Sequence, residues 1–264
     1  MIEINNLNKK FHKNEVLKNL NLKIEKGESA VVIGRSGTGK SVLLKCLLGL
    51  LKPDSGIIKI GGKNILGKNL QHINNESVKI GMLFQGGALF DSLNIWRNIS
   101  FSSLQNKVSE KECKKIAIET LEKVGLNSDV ADLYPSELSG GMQKRVSLGR
   151  AIFSEPDIIF FDEPTTGLDP ITADVINKLI LEKVNDLGAT ALTITHDMSS
   201  ARTIASKVYM LHEGNIIWGD NVEEMEKTKN EYILQFVNGQ SDGCLLYTSD
   251  AADEGLGVDL GGRR

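Results

Sequence analysis

The sequence predicts an α/β fold with three parts: a mostly parallel sheet core flanked by helices, an antiparallel β subdomain at the N-terminus, and an inserted α-helical subdomain. Three observations predict it. Apolar and polar residues alternate near the N-terminus, short apolar runs then alternate with helical patterns, and the middle of the chain has helical periodicity alone. Because parallel strands need long crossover connections, strands that alternate with helices favour a parallel sheet.

Two antiparallel strands are predicted at the N-terminus. Ile2 and Ile4 alternate with polar neighbours, and Leu20, Leu22 and Ile24 do so again before a Lys-Gly pair. This period-2 pattern is typical of strands with one buried face. We therefore expect a small antiparallel sheet ahead of the parallel core.

Further strands alternate with helices in the rest of the chain. Apolar patterns predict strands at residues 30–34, 57–60, 78–84, 158–161, 191–195, 207–211 and 216–218, and helices at 40–51 and 171–187. From residue 92 to 153 only the helical period occurs, with a predicted N-cap at Ser109 and a reciprocal capping residue at Glu112. We expect one domain over residues 1–240, with a helical subdomain inserted at about residues 86–153.

Composition excludes several classes of protein. The 264 residues carry 31 basic and 34 acidic side chains, a net charge of −3, so no basic excess indicates nucleic-acid binding. The three cysteines, Cys46, Cys113 and Cys244, form no CxxC pair; this argues against disulfides or zinc and favours buried thiols at Cys46 and Cys113. No apolar run approaches the roughly 20 residues that span a bilayer, and no signal-peptide core is present. We expect a cytosolic chain that reaches a membrane through a partner.

The last residues, 244–264, break the pattern. CLLYTSDAADE resembles the translated end of a transposase-type sequencing adapter, and VDLGGRR resembles translation of the flanking adapter. We predict that residues 244–264 are a non-native tail, the alternative being a natural flexible one.

One glycine-rich motif predicts a phosphate site. GRSGTGKS comprises Gly34, Arg35, Ser36, Gly37, Thr38, Gly39, Lys40 and Ser41, and it lies between a predicted buried strand and an amphipathic helix. Its glycines let successive backbone N–H groups point inward, and the helix adds the positive end of its dipole. Lys40 is expected to reach the β- and γ-phosphates, and Ser41 to ligate Mg²⁺.

Two carboxylates follow a buried strand in IIFFDE. Asp162 suits the Mg²⁺ shell, and Glu163 is placed to polarise an attacking water as general base. The alternative is a strand that simply ends in solvated acids. With the phosphate loop upstream, both motifs together predict a P-loop nucleotidase, a class that includes kinases, GTPases, recombinases and transporter motors.

LSGGM, at residues 138–142, narrows the class. With this motif 23 residues before Asp162, the chain resembles the ATP-binding subunits of ABC transporters. The resemblance implies a P-loop (RecA-like) core, ATP and Mg²⁺ as ligands, and a homodimer. In that dimer Ser139, Gly140 and Gly141 cover the γ-phosphate held by the other copy. The family often has Gln where this chain has Met142, to which we assign no polar role.

Four further positions match the family in order. By resemblance, Gln85 is the Q-loop glutamine that contacts Mg²⁺ and water and senses the permease, and Asp169 belongs to the D-loop that crosses the dimer. His196 matches the switch histidine that contacts the γ-phosphate. Phe11 matches the aromatic residue that stacks on adenine, and simple core packing is its alternative.

The segment around Gln85 points to a cargo. GMLFQGGALFDSLNIWRNISF, residues 81–101, resembles the ATPases of mammalian-cell-entry (MCE) type lipid transporters, including the bacterial pathway that maintains outer-membrane lipid asymmetry. This resemblance implies phospholipid cargo, a permease, a periplasmic MCE-domain protein and, as a further candidate, a small STAS-domain protein. It places the chain at the cytoplasmic face of the inner membrane. The apolar residues of 88–101 either receive a permease helix or pack the helical subdomain.

Other functions remain as alternatives. The main one is the ATPase of another ABC transporter, such as an amino-acid importer or a lipoprotein exporter. A non-transport ABC ATPase would usually carry a coiled-coil insertion or a second cassette. A kinase or GTPase would leave LSGG and the strand before His196 unexplained, and an inactive subunit would not need Lys40, Asp162 and Glu163.

Overall fold

Two β-sheets organise the chain in the computed structural model, which describes residues 1–66, 78–240 and 242–245. The first sheet is antiparallel and has the order β2-β1-β4-β5. Its strands are β1 (Ile2–Phe11), β2 (Asn14–Ile24), β4 (Ser55–Ile60) and β5 (Lys63–Asn64). Ile2 pairs with Ile24 on one side and with Ile60 on the other, and all three side chains are buried. The predicted antiparallel subdomain is therefore confirmed.

The second sheet is the predicted core, with the order β10-β9-β3-β8-β7-β6. It consists of β3 (Ser29–Ile33), β6 (Ile80–Leu83), β7 (Ile158–Asp162), β8 (Thr190–Thr195), β9 (Lys207–His212) and β10 (Asn215–Asn221). Five strands are parallel, and β10 pairs antiparallel with β9 at the edge. The mostly parallel sheet is confirmed, and the carboxyl ends of β3, β7 and β8 meet at one edge, where ligands bind in such sheets.

Helices cover both faces of this core. They are α1 (Lys40–Leu47), α2 (Ile95–Ile99), α3 (Phe101–Gln105), α4 (Glu110–Lys123), α5 (Gly140–Ile152), α6 (Pro170–Leu187), α7 (Met198–Ile204) and α8 (Glu231–Asn238). On β3, Val31 belongs to the cluster that includes α4 to α7, whereas Val32 belongs to the cluster with α1 and the antiparallel sheet. The core sheet is thus buried on both faces, as its continuous apolar strands predict.

The helices α2 to α5 lie between β6 and β7 in the chain, in the part of the sequence where only the helical period occurs. Cys113, Ala117 and Leu121 of α4 pack with Val146 of α5 in one buried cluster. Cys113 and Cys46 are both buried free thiols, as expected. Burial raises the pKa of the Cys46 thiol to about 11, which makes it unreactive.

Some boundaries differ from the predicted ones. The helix predicted at 40–51 ends at Leu47, because Gly49 adopts a positive φ of 66° and turns the chain away. Ser109 caps α4 by accepting from the Glu112 N–H at 3.3 Å, but the return bond, in which the Ser109 N–H would donate to the Glu112 carboxylate, is not among the hydrogen bonds of the described residues. The tail predicted at 244–264 lies outside the described residues apart from Cys244 and Leu245. Across the described ranges, no helix has both the length and the apolar character needed to cross a membrane.

Candidate functional site

The predicted phosphate loop lies between β3 and α1 and is closed by its own lysine. The Lys40 Nζ donates to the carbonyl oxygens of Gly34 at 2.6 Å and Arg35 at 2.9 Å. Gly39 caps α1 with a φ of 107°, and a Cβ on Gly34 would lie 2.4 Å from the Leu211 carbonyl oxygen, so both positions require glycine. The loop therefore has a fixed shape that leads into the positive end of α1.

Lys40 is the cation at the centre of this loop. Its side chain is buried, and burial lowers the pKa of the ammonium, while the nearby Glu163 and Asp162 carboxylates act to raise that pKa. A cation buried beside two carboxylates is suited to an anionic ligand that also brings a metal ion.

Asp162, the last residue of β7, has an oxygen that finds no partner among the described residues. Its Oδ1 is buried and accepts no hydrogen bond from the described residues. Burial raises the pKa of the Asp162 carboxyl, and the charge of Glu163 raises it further. An orphan carboxylate oxygen at this place fits Mg²⁺, which prefers oxygen ligands and would offset the cost of burying the charge. Asp162, Ser41 and Gln85 are the residues expected to hold it.

Glu163 is held by three neighbours. Its Oε2 accepts from the Thr195 hydroxyl at 3.2 Å and from the Thr166 hydroxyl at 3.3 Å, and its Oε1 lies 2.9 Å from the His196 Nδ1. Its φ of 47° is unusual for a residue with a side chain, so the backbone here is fixed by its surroundings. The sequence reasoning missed both threonines, although Thr195 directly precedes the predicted His196.

A cavity of about 620 Å³ brings most of the predicted nucleotide residues together. It is lined by Val16, Arg35, Ser36, Gly37, Gly39, Lys40, Ser41, Val42, Gln85, Glu163, His196 and Phe236. Three of the predicted residues, Gly34, Thr38 and Asp162, are absent from this lining. The Thr38 hydroxyl instead donates to the Arg35 carbonyl within the loop at 2.9 Å. Val16 and Phe236 are apolar walls that the sequence reasoning missed, because they come from segments far from the motifs.

Phe11 lies at the end of β1 and is not part of that lining. The side chain is 42% exposed, and the Lys9 Nζ lies 5.3 Å from the centre of its ring. The alternative of core packing is therefore wrong for Phe11. Stacking on adenine remains a prediction for this exposed ring.

The remaining predicted residues line a second cavity of about 460 Å³. Its lining consists of Ser139, Gly140, Gly141, Met142, Arg145, Gly167, Leu168, Asp169 and Thr172. The Ser139 hydroxyl caps α5 by accepting from the Met142 N–H at 3.3 Å. The Asp169 carboxylate caps α6, accepting from two backbone N–H groups at 3.0 Å each and from the Thr172 hydroxyl, whose hydrogen bond lowers the pKa of Asp169.

The two cavities have no lining residue in common. One chain therefore presents the phosphate loop in one place and the LSGG loop in another.

The apolar residues of 88–101 include buried and exposed side chains. Ile95, Trp96 and Ile99 are buried in the cluster that contains α4 and α5, so these three pack the helical subdomain. Phe90 is 42% exposed, and its ring centre lies 4.4 Å from that of Phe101. Within this segment, Phe90 is therefore an apolar side chain available to a partner.

Comparison with known proteins gives a consistent result. The sequence pattern of the family described as ABC transporter matches residues 17–166. The intermembrane phospholipid transport system ATP-binding protein MlaF of Haemophilus influenzae is 36% identical, and the match covers 96% of each chain. The chloroplast protein Trigalactosyldiacylglycerol 3 of Arabidopsis thaliana is 38% identical over 94% of this chain and 76% of its own. A solved dimeric ATP-binding cassette in a post-hydrolysis state, bound to ADP and inorganic phosphate, has a TM-score of 0.76 and 30% identity, over 84% of this chain and 99% of that chain.

Proposed function

This chain belongs to the ABC transporter family and is an ATPase of that family, and from this premise we propose that it powers a transporter that moves phospholipid between the inner and outer membranes. The observation that supports phospholipid as the cargo is the similarity to MlaF over 96% of both chains, which includes the segment around Gln85. The match from end to end spans the helical subdomain as well as the nucleotide site.

In the proposed reaction, the chain binds ATP in the first cavity, with Lys40 and the loop N–H groups on the β- and γ-phosphates. Glu163 accepts a proton from the attacking water as general base. His196 holds the Glu163 carboxylate from the neighbouring strand and faces the same cavity, where it would contact the γ-phosphate. Mg²⁺, when bound by Ser41, Gln85 and Asp162, would neutralise charge that develops on the phosphates.

We propose that the working unit is a head-to-tail homodimer. The second cavity of one copy, with Ser139, Gly140 and Gly141, would cover the γ-phosphate bound in the first cavity of the other copy. The first turn of α5 would place backbone N–H groups toward that phosphate. Each nucleotide is then clamped from two sides, and hydrolysis with loss of phosphate releases the clamp and opens the dimer.

The proposed partners are an integral-membrane permease, a periplasmic MCE-domain protein and a small STAS-domain protein. The chain would lie at the cytoplasmic face of the inner membrane, bound through the permease. The exposed ring of Phe90, five residues after Gln85, supports permease docking at this place. Movement of the Q-loop would then be passed to the permease.

Reconstitution tests the proposal. The chain is co-purified with a permease and an MCE-domain protein from the same organism and placed in vesicles that contain a fluorescent phospholipid. We expect ATP-dependent exchange of the labelled lipid with the MCE-domain protein, and none with the Glu163→Gln variant. ATP hydrolysis that responds to a free amino acid but not to phospholipid would overturn the cargo and leave the ATPase in place.

A further inference from the structure

Three polar side chains on one face of α5 bind the backbone of the loop that carries Gln85. The Lys144 Nζ donates to the carbonyl oxygen of Gln85 itself. The Ser147 hydroxyl lies 3.1 Å from the Gly87 carbonyl oxygen and 2.8 Å from that of Gln143, and it shares its one proton between these two acceptors. Arg150 donates to the Gly87 and Ala88 carbonyls at 2.6 Å each. Because the three residues are spaced three apart, they lie along one side of the helix.

The loop lies against this helix in a conformation that needs support. Gly87 has a φ of 75° and Ala88 a φ of 47°, and the latter is uncommon for a residue with a Cβ. A Cβ on Gly87 would lie 2.8 Å from the Ser147 hydroxyl oxygen, so the loop backbone touches the helix directly. A backbone in this region persists when its surroundings hold it there, and here α5 does so.

One cation of this face is buried and the other is half-buried. Lys144 is only 6% exposed, and burial lowers the pKa of its ammonium, while the Asp162 and Glu163 carboxylates act to raise it. Burial also lowers the pKa of the Arg150 guanidinium. Removing such cations from water is costly unless their hydrogen bonds are made, and among the described residues those bonds go to the loop carbonyls.

The same helix begins at the second cavity. Ser139 caps α5, and Gly140 and Gly141 form its first turn, so the helix runs from the LSGG loop to the loop of Gln85 in the first cavity. A packed helix moves as a rigid element, so a shift at one of its ends is passed to the other.

We propose that Lys144, Ser147 and Arg150 are positioning residues that fasten the Gln85 loop to α5, so that nucleotide engaged by the LSGG loop sets the position of Gln85. The proposal rests on the ATPase dimer proposed above and deepens it. Through this link, each of the two shared sites reports its occupancy to the other. Gln85 contacts the ligand, and the three residues act through Gln85.

A double-mutant cycle on the basal ATPase of the full chain tests this link. We expect Ser147→Ala and Arg150→Lys each to lower kcat about 5- to 10-fold, with little change in the KM for ATP, because the loop loses its position and the phosphate cradle is intact. In the Gln85→Ala background, the same substitutions should have almost no further effect, since their route to the site is already lost. A purely structural role would instead multiply with the Gln85 effect.

Lys114→Met serves as the matched control. Lys114 also lies in the helical subdomain and donates to Asp132 at 2.7 and 2.9 Å, but its bonds do not involve the Gln85 loop. We expect its kcat to equal that of the wild type. Effects of Ser147→Ala that multiply with those of Gln85→Ala, or a control that loses as much kcat, would overturn the link alone. A wild-type chain that binds ATP without hydrolysing it would overturn the proposed function as well. If Arg150→Lys fails to fold, the smaller Ser147→Ala change decides the question.

Discussion

The His196 Nδ1 lies 2.9 Å from Oε1 of Glu163, and this contact joins the carboxyl ends of two neighbouring parallel strands, β7 and β8. Glu163 also donates its backbone N–H to the Ile194 carbonyl at 2.9 Å, so both backbone and side chain are tied to β8. The proposed general base is therefore oriented by the strand next to its own. These contacts hold the Glu163 carboxylate in one orientation at the edge of the first cavity.

His196→Ala should slow hydrolysis without preventing ATP binding. The Glu163 carboxylate keeps its two threonine donors but loses the imidazole, so we expect kcat to fall by about 10²-fold, the range of a lost acid–base or orienting group. Steady-state phosphate release at saturating ATP measures it. The control is His12→Asn, at an exposed turn with a φ of 52° that Asn tolerates. Equal losses in both variants would contradict the assignment.

Glu163→Gln should bind ATP, hydrolyse it roughly 10²- to 10⁴-fold more slowly, and accumulate as a closed dimer. The amide keeps the size of the side chain but cannot accept a proton from water. Size-exclusion chromatography with ATP follows the dimer, and phosphate release follows turnover. Glu155→Gln is the control, because Glu155 is exposed and shares the positive φ, at 49°. Normal turnover by the Glu163 variant would show that another group is the base.

Lys40→Ala should weaken ATP binding roughly 10- to 100-fold. This is the loss of affinity expected when the hydrogen bonds of one charged donor are removed. The loop also loses the two bonds that Lys40 makes to its carbonyl oxygens. Titration with a fluorescent ATP analogue measures the Kd. Lys45→Ala, which removes an exposed lysine of the same helix, should leave the Kd near the wild-type value. An unchanged Kd for Lys40→Ala would argue against the cradle.

Asp162→Asn should have opposite effects on the free and the liganded protein. Because burial raises the pKa of Asp162, its contribution to stability is present at acid pH, when it is protonated, and is lost as the pH rises through that raised pKa. At pH 7 we expect the amide to raise the Tm of the nucleotide-free protein slightly, by roughly 1–3 °C, since water still screens part of the carboxyl. The further rise in Tm with Mg²⁺ and ATP should disappear. Thermal unfolding with and without Mg²⁺ and ATP measures both Tm changes. A Tm below that of the wild type in the absence of ligand would contradict the expected stabilisation of the free protein.

Phe236→Ala should weaken ATP binding, because this ring lines the first cavity. If it stacks on the base, the loss is about 5- to 150-fold, corresponding to roughly 1–3 kcal/mol for an aromatic contact to a base. Phe11→Ala, measured in the same titration, tests whether the exposed ring at the end of β1 also contacts adenine. A Kd unchanged in the Phe236 variant would place the base elsewhere.

The contiguous parts of the site could be predicted from the sequence. The loop around Lys40, the acids at the end of β7 and the histidine after β8 each follow a buried apolar strand, and such strands bring their carboxyl ends together in a parallel sheet. The two sheets were predictable for the same reason, since one alternates and the other is continuously apolar.

What the sequence did not predict depends on tertiary contacts. Thr166, Thr195 and Phe236 are common residue types, and only the fold shows that their side chains meet the site. In the sequence, the face of α5 that holds the Gln85 loop looks like an ordinary polar helix surface. Its hydrogen-bond partners are backbone carbonyls, and the sequence alone does not reveal them. Phe11 shows the converse, since it matches a family position in the sequence but lies outside the lining of the first cavity in the fold.

The separation of the two cavities has a genetic consequence. If each functional site is built from the phosphate loop of one copy and the LSGG loop of the other, a chain damaged at Lys40 and a chain damaged at Ser139 carry complementary defects. In a mixed pair, one site inherits both lesions and the other inherits neither. Two alleles that are each inactive alone would therefore restore activity when expressed together, whereas two alleles damaged in the same cavity would not.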